Sequence, residues 1–217
     1  MSLIRSGWTT VLLMALASAV AQSFGRFTYG ILLPAVRDDM GITNTQAGFI
    51  AAANVGAYLL ATLLVAWATN RYLLLNVMRL GLIMATLGLL LASVSSSPLM
   101  LGMALFIAGV GGAFLWIPAP VIASAALPPG RRPLAVGLMS SGIGLGIVFA
   151  SILSGVLRSS EGDHAWSSVY QIQFCIAFLV LAGTLFVVRH DQAKPKGDGG
   201  IGGFSALRRM RSWLPLI

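Results

Sequence analysis

A chain of 217 residues with 57% hydrophobic and only 9% charged residues, at a mean hydropathy of +0.88, is not an ordinary soluble domain, in which about a quarter of residues carry charge. Its net charge of +8 is spread between apolar runs rather than gathered on a soluble module, which argues against nucleic acid as a partner and assigns the basic residues to membrane topology. One cysteine, Cys175 inside an apolar run, leaves no intrachain disulfide to form.

The first span covers about residues 9–36. Arg5, the apolar run from Val11 and Ala19-Val20-Ala21 before Gln22 imitate a cleavable signal peptide. The chain stays apolar through SFGRFTYGILLP, so an uncleaved helix is expected. Arg26 is the only charge well inside it. An arginine near the centre of a membrane helix costs about 2.5–3.5 kcal/mol, against about 0.3–0.6 kcal/mol returned by each surrounding Leu, Ile, Phe or Val. The helix still inserts. Gln22, Arg26 and Tyr29 fall at i, i+4 and i+7, with Ser18 and Ala15 one and two turns earlier, which gathers small and polar groups on one face. Two readings stand. Either that face lines a polar cavity and Arg26 meets a ligand or gate, or Arg26 snorkels to the interface or pairs with a neighbouring helix.

A polar turn, 37–44, leads to a second span at 45–67 that Thr45 is expected to cap. Gly48, Ala52 and Gly56 form a small-xxx-small stripe suited to close helix packing. Ala47, Ala51, Asn54 and Tyr58 form another stripe that presents polar groups, with interhelical hydrogen bonding the first reading of Asn54. Asn70-Arg71-Tyr72 connects to a third span at 73–94, where Arg79 is placed to snorkel to headgroups. Ser95-Ser96-Ser97-Pro98 turns into a fourth span, 99–123, closely packed through Gly102, Gly109, Gly111 and Gly112 and kinked near Trp116, Pro118 and Pro120. The basic loop Pro128-Pro129-Gly130-Arg131-Arg132-Pro133 precedes a fifth span, 134–157, whose Gly137, Gly142, Gly144, Gly146 and Gly155 are expected at close helix crossings. No strand precedes these glycines, which removes a phosphate-cradle reading. A polar loop with Glu161, Asp163 and a solvated His164 leads to a sixth span, 169–188, anchored at the interface by Trp166. Residues 189–217 are read as a flexible polar linker, a basic amphipathic segment around Phe204, Leu207 and Met210, and the start of a possible seventh span.

Charge sets the orientation. With the N-terminus inside, the inner segments hold Arg5, Arg71, Arg79, Arg131, Arg132, Arg189, Lys194, Lys196, Arg208, Arg209 and Arg211. The outer loops hold Arg37 and Arg158 with Asp38, Asp39, Glu161 and Asp163. That asymmetry predicts an all-α membrane protein of six transmembrane helices with both termini cytoplasmic.

Six spans, a basic segment and the start of a seventh resemble the N-terminal half of a major facilitator superfamily transporter. The run FGRFTYGILLPAVRDDMGITNTQAGFIAAANVGAYLLATLL is similar to the first two helices of the YbfB/YjiJ-type bacterial members. The superfamily's loop between helices 2 and 3 usually reads Gly-xxx-Asp-Arg; here Ala66 and Asn70 replace the glycine and the acid, and Arg71 matches. Leu105, four residues before Gly109-Val110-Gly111, stands where an arginine is usual. Gly142 is followed by Ile143 where an antiporter motif has Gly-Pro. The resemblance implies a bacterial inner-membrane protein whose first and fourth helices line a cavity and whose third and sixth lie outside, with two six-helix halves rocking for alternating access. It makes Arg26, Gln22, Tyr29, Asn54, Tyr58 and Trp116 candidates for binding a small solute, an anionic one being suited to Arg26, and Asn70 and Arg71 candidates for the cytoplasmic gate. The implied partners are the lipid bilayer, the solute and a second six-helix half. The stop at Ile217, inside an apolar start, is read as truncation.

Two other functions compete with transport. An intramembrane protease could use Ser140, Ser141 or Ser151, but neither histidine lies in a span to act as base. No acid lies in a span either, so intramembrane metal sites lack ligands, and no cofactor is expected. A non-transporting scaffold would fit the glycine packing alone. Water access to the Arg26 face separates it from a transporter.

Overall fold

The computed structural model describes residues 2–188, with side chains from Gly7 onward; the expected linker, amphipathic segment and seventh-span start lie outside the described residues. Among the described residues the fold is helical, without strands. Helix α1 (Ser2–Ser18) passes into a π-helical segment, Ala19–Phe27, and then into α2 (Thr28–Met40). α3 (Asn44–Arg71), α4 (Leu74–Ser93), α5 (Pro98–Trp116), α6 (Ala119–Ala125), α7 (Arg132–Glu161) and α8 (Ala165–Val187) complete the order. Among the described residues five continuous helical runs are long and apolar enough to cross a membrane, where the sequence reading expects six spans. The difference lies in Pro129–Val187, whose 59 residues count as one run. Gly162, in the left-handed region at φ +71°, breaks that run into α7 and α8, which pack on each other.

The ends of these helices have local causes. Gly41 stops α2 with φ +62°, a conformation that costs a glycine little. Thr43, rather than Thr45, caps α3: its hydroxyl accepts from the Gln46 backbone N–H, and the Gln46 carboxamide accepts from the Thr43 backbone N–H. Ser97 caps α5 ahead of Pro98 at the first helical position. Pro118 lacks the N–H that would continue the α5 ladder, and the chain turns into α6 just beyond Trp116.

The most extensive crossing joins α4 to α5. Gly81 and Gly88 on α4 face Gly111 and Ala108 on α5, with backbone atoms under 3 Å from where a Cβ would stand. α5 also lies on α3, where a Cβ at Gly109 would collide with the Asn54 carbonyl. α7 reaches α1 and the π-helical segment through Gly142, against Ala15, and Gly146, against Ser23 and Ala19. Gly137, Gly144 and Gly155 have nothing within 4 Å, so only two of the five α7 glycines serve the close packing expected of them. The α3 stripe is likewise reassigned. Gly48 and Gly56 face open space, while Ala47, Ile50, Asn54, Ala57, Ala61, Val65 and Ala68 form the buried face.

Both ends of the bundle are stitched by polar side chains. At one end Trp166, expected as an interfacial anchor, is buried against protein, and its Nε1 donates to Asp39 Oδ2 at 2.7 Å. His164 Nδ1 lies 2.5 Å from the other oxygen of the same carboxylate, which ties the end of α2 to the α7–α8 turn. At the opposite end Arg79 does not snorkel. Its Nη2 donates to the carbonyls of Thr184, Leu185 and Val188 at 3.0, 3.3 and 2.8 Å, satisfying acceptors in the last turn of α8 and just beyond it that have no partner within the helix. Arg79→Met keeps the stem and removes these bonds. It is expected to cost about 1.5–3 kcal/mol, the worth of hydrogen bonds to a charged group, read as a lower unfolding midpoint in detergent.

Candidate functional site

The site forms where the first helical run abandons α winding. Hydroxyls recur at Ser18, Ser23 and Thr28, a five-residue spacing that matches the i→i+5 bonding of a π-helix. Thr28 closes such a bond with its backbone N–H to the Ser23 carbonyl, and its Oγ1 donates to the same oxygen at 3.0 Å. Ser23 Oγ donates across to the Ile143 carbonyl on α7 at 2.7 Å, and Gln173 Nε2 on α8 donates to Thr28 Oγ1 at 2.9 Å. π-helical turns concentrate at functional sites, and this one carries Arg26.

Arg26 is half-buried, with its guanidinium carbon 5.0 Å from the centre of the Tyr58 ring on α3 and 5.8 Å from that of Phe27. Among the described residues no carboxylate pairs with it. Asp38, the nearest acid on its own run, is 12 residues away, about 18 Å along a helix axis. The cation lies against the face of the Tyr58 ring, and a guanidinium carries a planar fork of N–H donors that matches a carboxylate or phosphate.

The family model of the Major Facilitator Superfamily matches residues 15–217. The chain belongs to that superfamily. It is a multi-pass membrane protein with the superfamily's fold, and its solved likenesses agree. A bacterial homologue of the human lysosomal transporter Spinster, inward-facing and unoccupied, superposes with a TM-score of 0.74 at 19% identity, over 95% of this chain and 49% of that one. FucP in the outward conformation gives 0.68 at 20% identity, over 98% and 58%. The xylose transporter XylE from E. coli, inward open, gives 0.70 at 13% identity, over 96% and 56%. This major facilitator chain therefore spans about half the length of the structures it resembles. No curated protein matches it in sequence.

Within this superfamily member the other candidate residues separate. Tyr58 joins Arg26. Gln22 is buried inside the π-helical segment. Tyr29 is buried and also turned to α3, donating from its hydroxyl to the Ala47 carbonyl at 3.1 Å, 11 residues or about 16 Å along α3 from the Tyr58 that Arg26 meets. Asn54 is buried and hydrogen-bonded between helices, the first of the readings given for it. Trp116 is half-buried against the main core, 11 residues beyond Leu105 and so about 16 Å farther along α5. Asn70 and Arg71 are exposed at the end of α3, 12 residues or about 18 Å from Tyr58, and Arg71 stacks on Trp67 at 5.2 Å. Sequence reasoning overlooked Phe27 beside Arg26, and Thr28 and Gln173 beneath it. The five-residue hydroxyl spacing was the available signal for Thr28; Gln173 had none.

Proposed function

We propose that the chain is the N-terminal half of a secondary transporter that moves a small carboxylate- or phosphate-bearing solute by alternating access, completed by a second six-helix half. The supporting observation is Arg26: a guanidinium at membrane depth, stacked on Tyr58 at 5.0 Å, without a carboxylate partner among the described residues. A half-buried arginine inside a membrane span with no acid is costly, and an anionic solute would supply the missing partner. The likeness of the first two helices to YbfB/YjiJ-type members belongs to the same reading, as does a bacterial inner-membrane location.

The six-crossing topology also belongs here. A single run of 59 residues would extend about 88 Å at 1.5 Å per residue, some three times a ~30 Å hydrocarbon core. A reversal at Gly162 gives α7 and α8 one crossing each. Asp39 then shares an end with His164 and Trp166, and Arg79 shares the other with Val188. That second end carries Arg71, Arg79, Arg131 and Arg132, as a cytoplasmic face does.

Water access is the test. In a Cys175→Ser background, Arg26→Cys is expected to react with a membrane-impermeant maleimide, whereas Leu63→Cys on the exposed apolar face of α3 stays unreacted in the bilayer. An unreactive position 26 in a folded chain would favour the scaffold reading.

A further inference from the structure

The aim of Arg26 depends on how the π-helical segment is held, and α3 holds it at two consecutive residues. Asn54 and Tyr58 are one helical turn apart on α3 and share a face. The Tyr58 ring takes the Arg26 guanidinium. One turn earlier, Asn54 Nδ2 donates to the carbonyl of Gly25, the residue just before Arg26, at 2.9 Å. The same nitrogen donates to the Leu105 carbonyl on α5 at 2.6 Å, so both amide hydrogens are used. We infer that Asn54 is a positioning residue for Arg26: by holding the Gly25 carbonyl it fixes the rotation of the π-helical segment that lays the guanidinium on Tyr58.

The surroundings are shaped for this grip. Leu105 O belongs to a ladder whose i+4 residue is Gly109, which has no side chain to cover it, and a Cβ there would strike the Asn54 carbonyl. Gly25 lies close to Ala108 on α5, 3.8 Å from where its own Cβ would stand. Three backbones therefore meet around one carboxamide that is 4% exposed. On the opposite side Thr28 holds the Ser23 carbonyl and is itself held by Gln173. The segment is pinned at Ser23 from α8 and at Gly25 from α3. Releasing the Gly25 pin lets the wide winding relax toward α register. A shift of one residue turns the rest of the helix by about 100° at 3.6 residues per turn, enough to carry Arg26 off Tyr58. A bond that only stabilised the bundle would leave Arg26 on the ring when lost.

The inference rests on the proposed function only in naming Arg26 as the solute contact. Its test uses no solute, so a failure of the transport reading in the labelling experiment leaves it standing. The full chain in detergent micelles, labelled with 15N-arginine, reports Arg26 through its Nε–Hε resonance, and Tyr58→Leu defines the position of that resonance without the ring current. Arg79, clamped at the far end of the bundle, serves as the fold marker. In Asn54→Leu and Asn54→Ala the Arg26 resonance is expected to move to its Tyr58→Leu position while the Arg79 resonance stays in place. Retention of the wild-type Arg26 shift in either variant with an intact Arg79 signal overturns the proposal. Loss of the Arg79 signal in both variants overturns it too, because Asn54 would then hold the bundle rather than aim Arg26.

Discussion

Gly81→Val and Gly111→Val are each expected to destabilise the bundle by about 3 kcal/mol or more, at or above the top of the usual overpacking range. The expectation comes from the atoms a new side chain would meet. At Gly81 the neighbours are the Leu115 nitrogen, the Phe114 carbonyl carbon at 2.6 Å and Gly111 O at 2.7 Å; at Gly111 they include Gly81 O at 2.7 Å and Ala85 Cα at 3.0 Å. These are backbone atoms, and they cannot rotate aside as a side-chain tip can. The helices must separate, and with them the contacts that Leu82, Ala85 and Leu89 make within the main core. A loss of 3 kcal/mol lowers the folded-to-unfolded ratio roughly a hundredfold. Unfolding followed by circular dichroism under an SDS titration reads it. Gly137→Val is the control: its site is open, and replacing a helical glycine there changes little. Equal stability of the Gly81 and Gly137 variants would contradict the assigned crossing.

That crossing shows where sequence reading stops in a membrane protein. Span positions can be read from hydropathy because lipid solvates apolar side chains regardless of their partners. Choosing which stripe of a helix packs on protein is another matter, since lipid tails are as apolar as leucine. On α3 the regular Gly48–Ala52–Gly56 repeat looked like the packing face, yet the contact runs through Ala47, Asn54, Ala57 and Ala61. On α4, Gly81 and Gly88 stood unremarked among leucines, although they let α4 lie directly on the α5 backbone. Arg26 was legible because one charge in an apolar helix demands a partner or a cavity. Its setting was not, because spacing within one helix does not name the residues of the neighbouring helix that it meets. Arg26 meets Tyr58 on α3, and Tyr29, i+3 from it, meets the same helix at Ala47. Arg79 and Trp166 were misjudged for a shared reason. Interface residues snorkel or anchor by default, and only the fold shows that a helix end or a carboxylate lies within reach.

Arg26→Ala, in a transporter completed by its second half, is expected to abolish binding of a carboxylate or phosphate solute, with affinity falling about a hundredfold or more. The figure comes from removing charge-assisted hydrogen bonds worth about 1.5–3 kcal/mol each, at tenfold per 1.4 kcal/mol. Impaired insertion cannot account for such a loss. Removing an arginine from mid-span lifts an insertion cost of about 2.5–3.5 kcal/mol, so the alanine variant should reach the membrane at least as well as the parent. Arg26→Lys separates charge from geometry. An ammonium can still lie over Tyr58, but it lacks the planar fork that pairs two N–H groups with two oxygens. The lysine variant should therefore lose nearly as much affinity as alanine. Displacement measurements over a panel of mono- and dicarboxylates and inorganic phosphate check both variants. A lysine variant that binds like the parent would reduce Arg26 to a point charge, and an alanine variant that transports at the parent rate would remove it from the solute site altogether.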